Sequence, residues 1–323
     1  MKKYNYTNFE NPEGLLQNDE FWTIVIPSLV RFEYLEKCIK SIEDQADMAY
    51  ELIIHDDGSQ DDTPGKIWDM RSKISTIIYN TGINFGLARS TNRMIQLAHS
   101  KYVLFMNTDA VIKKPCLKML RDVLEKPYIG MVNVENTTNS SRMFKNRDTY
   151  FKINSGLSSG YASAIKKEAW QAVGGWDEES FTGGSDGAFI GRMAQNGYFF
   201  GICRGDGQCL VENTGAALTQ EKGWRGSTSQ FIHGLENAYP KLMKLDGPYT
   251  NHQLAGKRHE RCVDQIHARE RNAADNCYIS WWDHFYQTLV RQDGTIDWDF
   301  AAKEHPNVLK WKSSIEAEEV HNL

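Results

Sequence analysis

The segment His55-Asp56-Asp57-Gly58-Ser59 directly follows the apolar run Leu52-Ile53-Ile54, and Asn107-Thr108-Asp109 directly follows Tyr102-Val103-Leu104-Phe105-Met106. Each acidic cluster therefore falls where a buried strand ends. In open α/β sheets ligands bind in the crevice outside the carboxyl ends of the strands. A carboxylate placed there accepts hydrogen bonds from a nucleoside, or holds a divalent cation against a diphosphate. Plainer readings stand beside both. Asp-Asp-Gly-Ser is good turn chemistry, and Asn-Thr-Asp after a strand is also a helix N-cap signature.

Strands and helices must position these groups. Thr23-Ile24-Val25-Ile26-Pro27 reads as a short strand stopped by proline. The apolar residues Phe32, Leu35, Ile39 and Ile42 recur at three- and four-residue steps, which predicts a helix over 32–42. Strands follow at 51–54, 74–79 and 101–106, with a helix start at Asp61-Asp62-Thr63-Pro64 and a helix over 87–98. This alternation with short connections predicts a mostly parallel central sheet flanked by helices. The turn after the first strand, Pro27-Ser28-Leu29-Val30, carries neither the G-x-G-x-x-G of a dehydrogenase nor a Gly-Lys-Ser phosphate loop.

Past residue 110 the pattern predicts a helix over 117–124, a strand over 129–134 and a polar, turn-rich loop over 136–149. A helix over 165–173 follows, capped by Gly174-Gly175, then a helix over 188–195 and strands over 198–203 and 208–211. Strand signals vanish beyond 215, where helices are expected over 230–243, 258–273 and 279–290. The organisation expected is a leader (1–20), an α/β domain (21–215) and a mainly helical C-terminal extension (216–323).

A net charge of −5 argues against a general nucleic-acid binder. No apolar run reaches the roughly eighteen residues of a membrane span, and the N-terminus lacks the apolar core of a signal peptide. The cysteines are scattered without a C-x-x-C pair, so free thiols and a cytoplasmic location are expected.

Several segments, in order, resemble family 2 glycosyltransferases: Thr23 to Pro27, Asp56-Asp57-Gly58-Ser59 with Asp61-Asp62-Thr63, and Asn84-Phe85-Gly86-Leu87-Ala88 with Asn92. Asn107-Thr108-Asp109, Gly174-Gly175-Trp176-Asp177 and Gly183-Gly184-Ser185-Asp186 complete the set. The similarity covers roughly residues 22 to 215. It implies a GT-A-like nucleotide-sugar-binding domain, a nucleoside-diphosphate sugar donor of UDP or TDP type, and inversion at the anomeric centre.

Carried residue by residue, the resemblance places Pro27, Asp56, Asp57, Asn84, Arg89, Asn107 and Asp109 on the donor side. Asp56 and Asp57 read the nucleoside, and Asp109 holds Mn²⁺ or Mg²⁺. Asp186 is the general base toward an acceptor hydroxyl, carbohydrate or other. Trp176 and Asp177 lie on the acceptor side, with an exposed ring stacking on sugar; tryptophan as core is the competing reading. Gly156 to Gly160 resembles the stretch beneath the donor sugar. The pattern departs at Asn107, where many relatives have an acid, and at Ser185. It departs again near Asn213, where a histidine is expected; Glu212 is the better ligand if the register slips by one. Arg89 and Asn92 read either into the donor pocket or as a solvated helix start.

The basic stretch Lys257, Arg258, Arg261, Arg269 and Arg271 reads as a solvated helix face. Steering of an anionic acceptor (phospholipid-linked, teichoic or nucleic acid) is the minor reading. The rival functions are a non-catalytic nucleotide- or sugar-binding relative and, further off, a sugar-nucleotide-forming nucleotidyltransferase.

Overall fold

A computed structural model of the chain describes residues 21–80, 86–134, 142–153, 161–176, 189, 192–204, 211–214, 289–291 and 293–321. Its first half runs β1 (Phe21–Ser28), α1 (Phe32–Gln45), β2 (Ala49–Asp56), α2 (Thr63–Asp69), β3 (Thr76–Tyr79), α3 (Leu87–Leu97) and β4 (Tyr102–Met106). Next come β5 (Ala110–Ile112), α4 (Cys116–Leu124), β6 (Ile129–Val134), β7 (Met143–Asn146), β8 (Thr149–Ile153), β9 (Ala162–Lys166) and α5 (Lys167–Val173). β10 (Phe199–Arg204), β11 (Val211–Asn213), α6 (Trp298–Glu304), α7 (Lys312–Glu316) and β12 (Val320–His321) complete the described elements.

A 10-stranded sheet with the order β12-β7-β8-β10-β6-β9-β4-β1-β2-β3 organises the chain. The block β3-β2-β1-β4 is parallel throughout, as the alternating pattern predicts. Ile24, Val25, Ile26, Ile53, Ile54, Val103 and Leu104 are fully buried, because helices cover both faces of a parallel sheet and its strands read as continuous apolar runs. The apolar stripe of α1 (Phe32, Leu35, Cys38, Ile39, Ile42) packs into this core. Cys38, Cys116 and Cys203 are free and buried. Among the described residues no helix is long and apolar enough to cross a membrane.

The structure departs from the sequence pattern in several places. β1 continues through Pro27 to Ser28, with Pro27 opposite His55. The Ser28 carbonyl accepts from the Asp57 N–H at 2.8 Å, so Ser28 faces β2. Pro27, one residue earlier, faces the β4 side, where pairing has ended at Val25 and Phe105, and its missing N–H breaks no ladder bond. Ile165 and Lys166 belong to β9, which runs antiparallel between β4 and β6, and the helix starts only at Lys167. The small residues Ala162, Ser163 and Ala164 hide this buried strand from propensity. The expected cap holds, with Gly174 left-handed at φ 75°.

Part of the expected loop over 136–149 is instead the hairpin β7–β8, turning at Arg147 and Asp148. Residues 135–141 lie outside the described residues, as do 215–288 with the helices expected there; of the last of these helices only Leu289, helical, and Val290, bridged to Ile296, are described. A strand does occur beyond 215: β12 pairs antiparallel with β7. The segment 289–321 shares the core through Leu289, Val290, Ile296, Ala301, Val308 and Ile315. The Trp311 indole N–H donates to the Gly197 carbonyl at 2.7 Å, and the Tyr128 hydroxyl donates to Glu318 at 2.8 Å.

Candidate functional site

The parallel register sets Asp56, the last residue of β2, opposite Ser28 on one side and Tyr79 on the other. Asp56 is buried. Its Oδ1 accepts from the Ser59 hydroxyl at 2.5 Å and its Oδ2 from the Ser59 N–H at 3.2 Å. Burial pushes its pKa up to about 6, against the pull of the Ser59 hydrogen bonds. Asp57, also buried, accepts from the Asn80 amide at 2.7 Å and from the Gly86 N–H at 2.9 Å. It thereby ties the end of β3 to the start of α3, while the Arg93 guanidinium donates to the Asn80 carbonyl oxygen at 3.2 Å. Asp56, Ser59, Trp68, Tyr79 and Asn80 line a cavity of about 560 Å³, within the range of small-molecule sites.

The exit from β1 is locked onto the same loop. Val30 (φ 50°) and Arg31 (φ 60°) are both left-handed without being glycine. The Ser59 hydroxyl oxygen accepts from the Val30 N–H at 2.7 Å while donating to Asp56, so one side chain fixes both strand ends. Asp61 accepts from the Arg31 N–H at 3.1 Å and, through its other oxygen, from the Thr63 N–H at 3.0 Å. The Arg31 guanidinium lies over the Tyr34 ring, 4.2 Å from its centroid. Sequence reasoning passed over Arg31. Its one signal is a cation at a helix N-terminus, where the dipole disfavours it.

At the exit of β4, Asp109 is 4% exposed and its Oδ2 has no hydrogen-bond partner among the described residues. Burial raises its pKa, opposed by a backbone hydrogen bond and by the Arg31 guanidinium. Asp109 leads into β5 and not into a helix, which overturns the N-cap reading. β5 pairs with β11, and this brings Thr214 to donate to the Asp109 carbonyl through its N–H (2.9 Å) and hydroxyl (3.0 Å). The Asn107 N–H donates to the Tyr161 carbonyl at 2.8 Å. Glu212 pairs with Lys113 at 2.7 Å on the exposed side of β11, and Asn213 stands opposite Ala110.

Among the described residues no group of three or more His, Cys, Asp or Glu side chains is arranged to hold a metal. One buried carboxylate with an unsatisfied oxygen nevertheless suits a hard cation of the Mg²⁺ type, which is commonly held by one or two carboxylates plus substrate phosphates.

On the other side of α3, Asn92 turns into the protein and not toward a donor pocket. Its amide donates to the Trp176 carbonyl at 2.9 Å. Its oxygen accepts from the Trp176 N–H at 2.9 Å and the Trp170 indole N–H at 3.1 Å. Trp176 is buried and stacks on Phe189 with centroids 4.3 Å apart, which corrects the expectation of an exposed sugar-stacking ring. A Cβ on Gly175 (φ 76°) would stand 2.6 Å from the Asn92 oxygen, so this turn needs glycine. Arg89 is half-buried on α3, and Pro27 lies at the mouth between β1 and β4. Asn84, Asp177, Asp186 and the stretch 156–160 lie outside the described residues.

Carboxylates lie at the ends of β2 and β4, on either side of β1, in an α/β domain whose mixed sheet has a parallel block at these strands. Residues 23–173 match the family model described as glycosyl transferase family 2, and over that segment the chain is similar to family 2 glycosyltransferases. The GalNAc(5)-diNAcBac-PP-undecaprenol beta-1,3-glucosyltransferase of Campylobacter jejuni is 27% identical over 130 residues, 39% of this chain and 42% of its own. The poly-beta-1,6-N-acetyl-D-glucosamine synthase of Staphylococcus epidermidis is 27% identical over 173 residues, 49% of this chain and 39% of its own. The match thus spans about two fifths of the length of either relative. The mannosyltransferase PcManGT from Pyrobaculum calidifontis, solved with GDP-Man and Mn2+, superposes with a TM-score of 0.47 at 14% identity, covering 91% of this chain and 79% of its own.

Proposed function

We propose that this chain transfers a sugar from a nucleoside-diphosphate sugar, of UDP or TDP type, to an acceptor hydroxyl with inversion. One observation carries the reading: a buried carboxylate with an unsatisfied oxygen, Asp109, follows β4 on one side of β1, and the Asp56-Asp57 pair ends β2 on the other. The β linkages in both relatives' names agree with inversion of an α-linked donor.

Asp56, with its pKa near 6, is ionised at neutral pH and accepts from the imide N–H of the base. Asp57 holds Asn80 and Gly86, and so shapes the pocket beside it. Asp109 would hold a divalent cation (Mn²⁺ or Mg²⁺), which would supply charge neutralisation for the departing diphosphate. The acceptor oxygen bonds to the anomeric carbon as the bond from that carbon to the diphosphate oxygen breaks. Its proton passes to the Asp186 carboxylate, and the nucleoside diphosphate leaves with the electron pair. General-base assistance of this kind is worth roughly 10²–10⁴-fold.

The test is Asp186→Asn with UDP- and TDP-sugars. Unchanged donor affinity, loss of transfer and an inverted anomer in the wild-type product by NMR are expected. Turnover equal to wild type sinks Asp186 as the base, and a retained anomer sinks inversion.

A further inference from the structure

We infer that Arg31 is a ligand of the donor diphosphate, a fixed protein cation at the exit of β1, the strand between β2 and β4; this rests on the nucleotide-sugar reading above. Val30 and Arg31 hold left-handed backbone that costs non-glycine residues on the order of 1–3 kcal/mol each. Such strain persists where the surroundings over-determine it, and here Ser59 and Asp61 each take one of the N–H groups. The lock comes from the same loop that holds Asp56. The geometry of Arg31 is therefore tied to that of the nucleoside-reading residue.

The helix dipole also disfavours a cation at this position. Arg31 stands at the N-cap of the 14-residue helix α1, where the dipole repels a cation and attracts an anion. Its contact with Glu33, 3.8 Å to a carboxylate that is 60% exposed, is a surface pair of small worth. The arginine side chain is itself only 17% exposed and stacks on Tyr34, which holds the guanidinium in one place.

Two buried polar atoms at the exits of the adjacent strands β1 and β4 have no hydrogen-bond partner among the described residues: Ser28 Oγ and Asp109 Oδ2. A diphosphate oxygen suits the Ser28 hydroxyl, and a planar guanidinium suits the diphosphate itself, offering paired N–H donors. With Asn107 in place of an acid and a single carboxylate for the cation, a second positive group compensates the charge of the diphosphate.

The test is calorimetric titration of UDP, TDP, GDP and ADP, and of their monophosphates, into wild type, Arg31→Gln and Arg31→Lys, in EDTA and in Mn²⁺. Wild type is expected to prefer a diphosphate over its monophosphate even in EDTA. Arg31→Gln should reduce that preference by about tenfold or more, the usual scale for a lost bond to a charged group. Arg31→Lys should lose less, and the melting temperatures of the ligand-free variants should stay close to wild type. A wild-type preference kept by Arg31→Gln overturns the inference and leaves the nucleotide-sugar reading standing. Absence of nucleotide binding by the wild type in either buffer overturns both. If Arg31→Gln does not fold, Arg31→Lys decides, and an unchanged preference counts against the inference.

Discussion

Asp56 shows how a single residue trades stability for binding. Its pKa in the fold, about 6, lies above the ordinary carboxylate value because burial penalises the charge. Its contribution to stability is therefore full below the unfolded pKa of about 4 and is lost as pH rises through about 6. In the proposed mechanism donor binding has the opposite sign, because the ionised form accepts from the base. Asp56→Asn should raise the melting temperature at pH 7 and flatten its change between pH 4 and 7. Nucleotide affinity should fall in the same variant, and in wild type it should weaken as pH drops below 6. Melts and titrations across that range check both signs. Asp109→Asn should leave metal-free nucleotide binding near wild type and remove the gain that Mn²⁺ gives, read by titration with and without the ion. The placement of Asp56, Asp57 and Asp109 at strand exits was legible in the sequence because each cluster directly follows an apolar run. Arg31, Ser59 and Asn80 were not, since their roles depend on left-handed backbone and on contacts between separate loops. Trp176 was open between core and surface for a related reason: Gly-Gly-Trp-Asp names a turn but not the side of it that the ring takes.

Among the elements, α3 does more than flank the sheet. Its N-terminus meets Asp57 through the Gly86 N–H, and its second turn clamps the corner after α5 through Asn92. Arg192 adds a bond from its guanidinium to the Gly175 carbonyl at 2.5 Å. Asn92→Ala leaves the Trp176 N–H and carbonyl and the Trp170 N–H to find new partners, and buried groups left unpaired cost roughly 1–3 kcal/mol each. A loss of about 2–4 kcal/mol in urea unfolding is expected. A loss under about 0.5 kcal/mol, the scale of an ordinary surface change, would show that Asn92 is dispensable to the corner. The parallel strands and their helices were readable because buried parallel strands are continuous apolar runs and helix stripes repeat. β9 was not readable, since Ala162-Ser163-Ala164 gains its strand character only from lying between β4 and β6. The hairpin β7–β8 was obscured by a polar turn that outweighs the short apolar pair Met143-Phe144.

At the scale of the molecule, the terminal segment closes the sheet that carries the site. β12 covers the outer edge of β7, and Ile315 and Val308 join the common core. Glu318 receives the Tyr128 hydroxyl and pairs with Lys126 at 3.0 Å. Ile315→Ala, at a position 1% exposed, should cost about 2–5 kcal/mol and lower one cooperative transition followed by circular dichroism. A separate low-temperature transition would instead mark a segment that melts on its own. This closure was invisible in the sequence, because a strand as short as Val320–His321 has no periodicity to detect. The strand ends of β1, β2 and β4 as a nucleoside-diphosphate site are tested most directly by thermal unfolding with UDP, TDP, GDP, ADP and CMP, each with and without Mn²⁺. Stabilisation by UDP or TDP, deepened by the metal in wild type but not in Asp109→Asn, is the predicted result, on a scale of roughly 2.7 kcal/mol at a hundred times Kd. No shift with any of these nucleotides would contradict it.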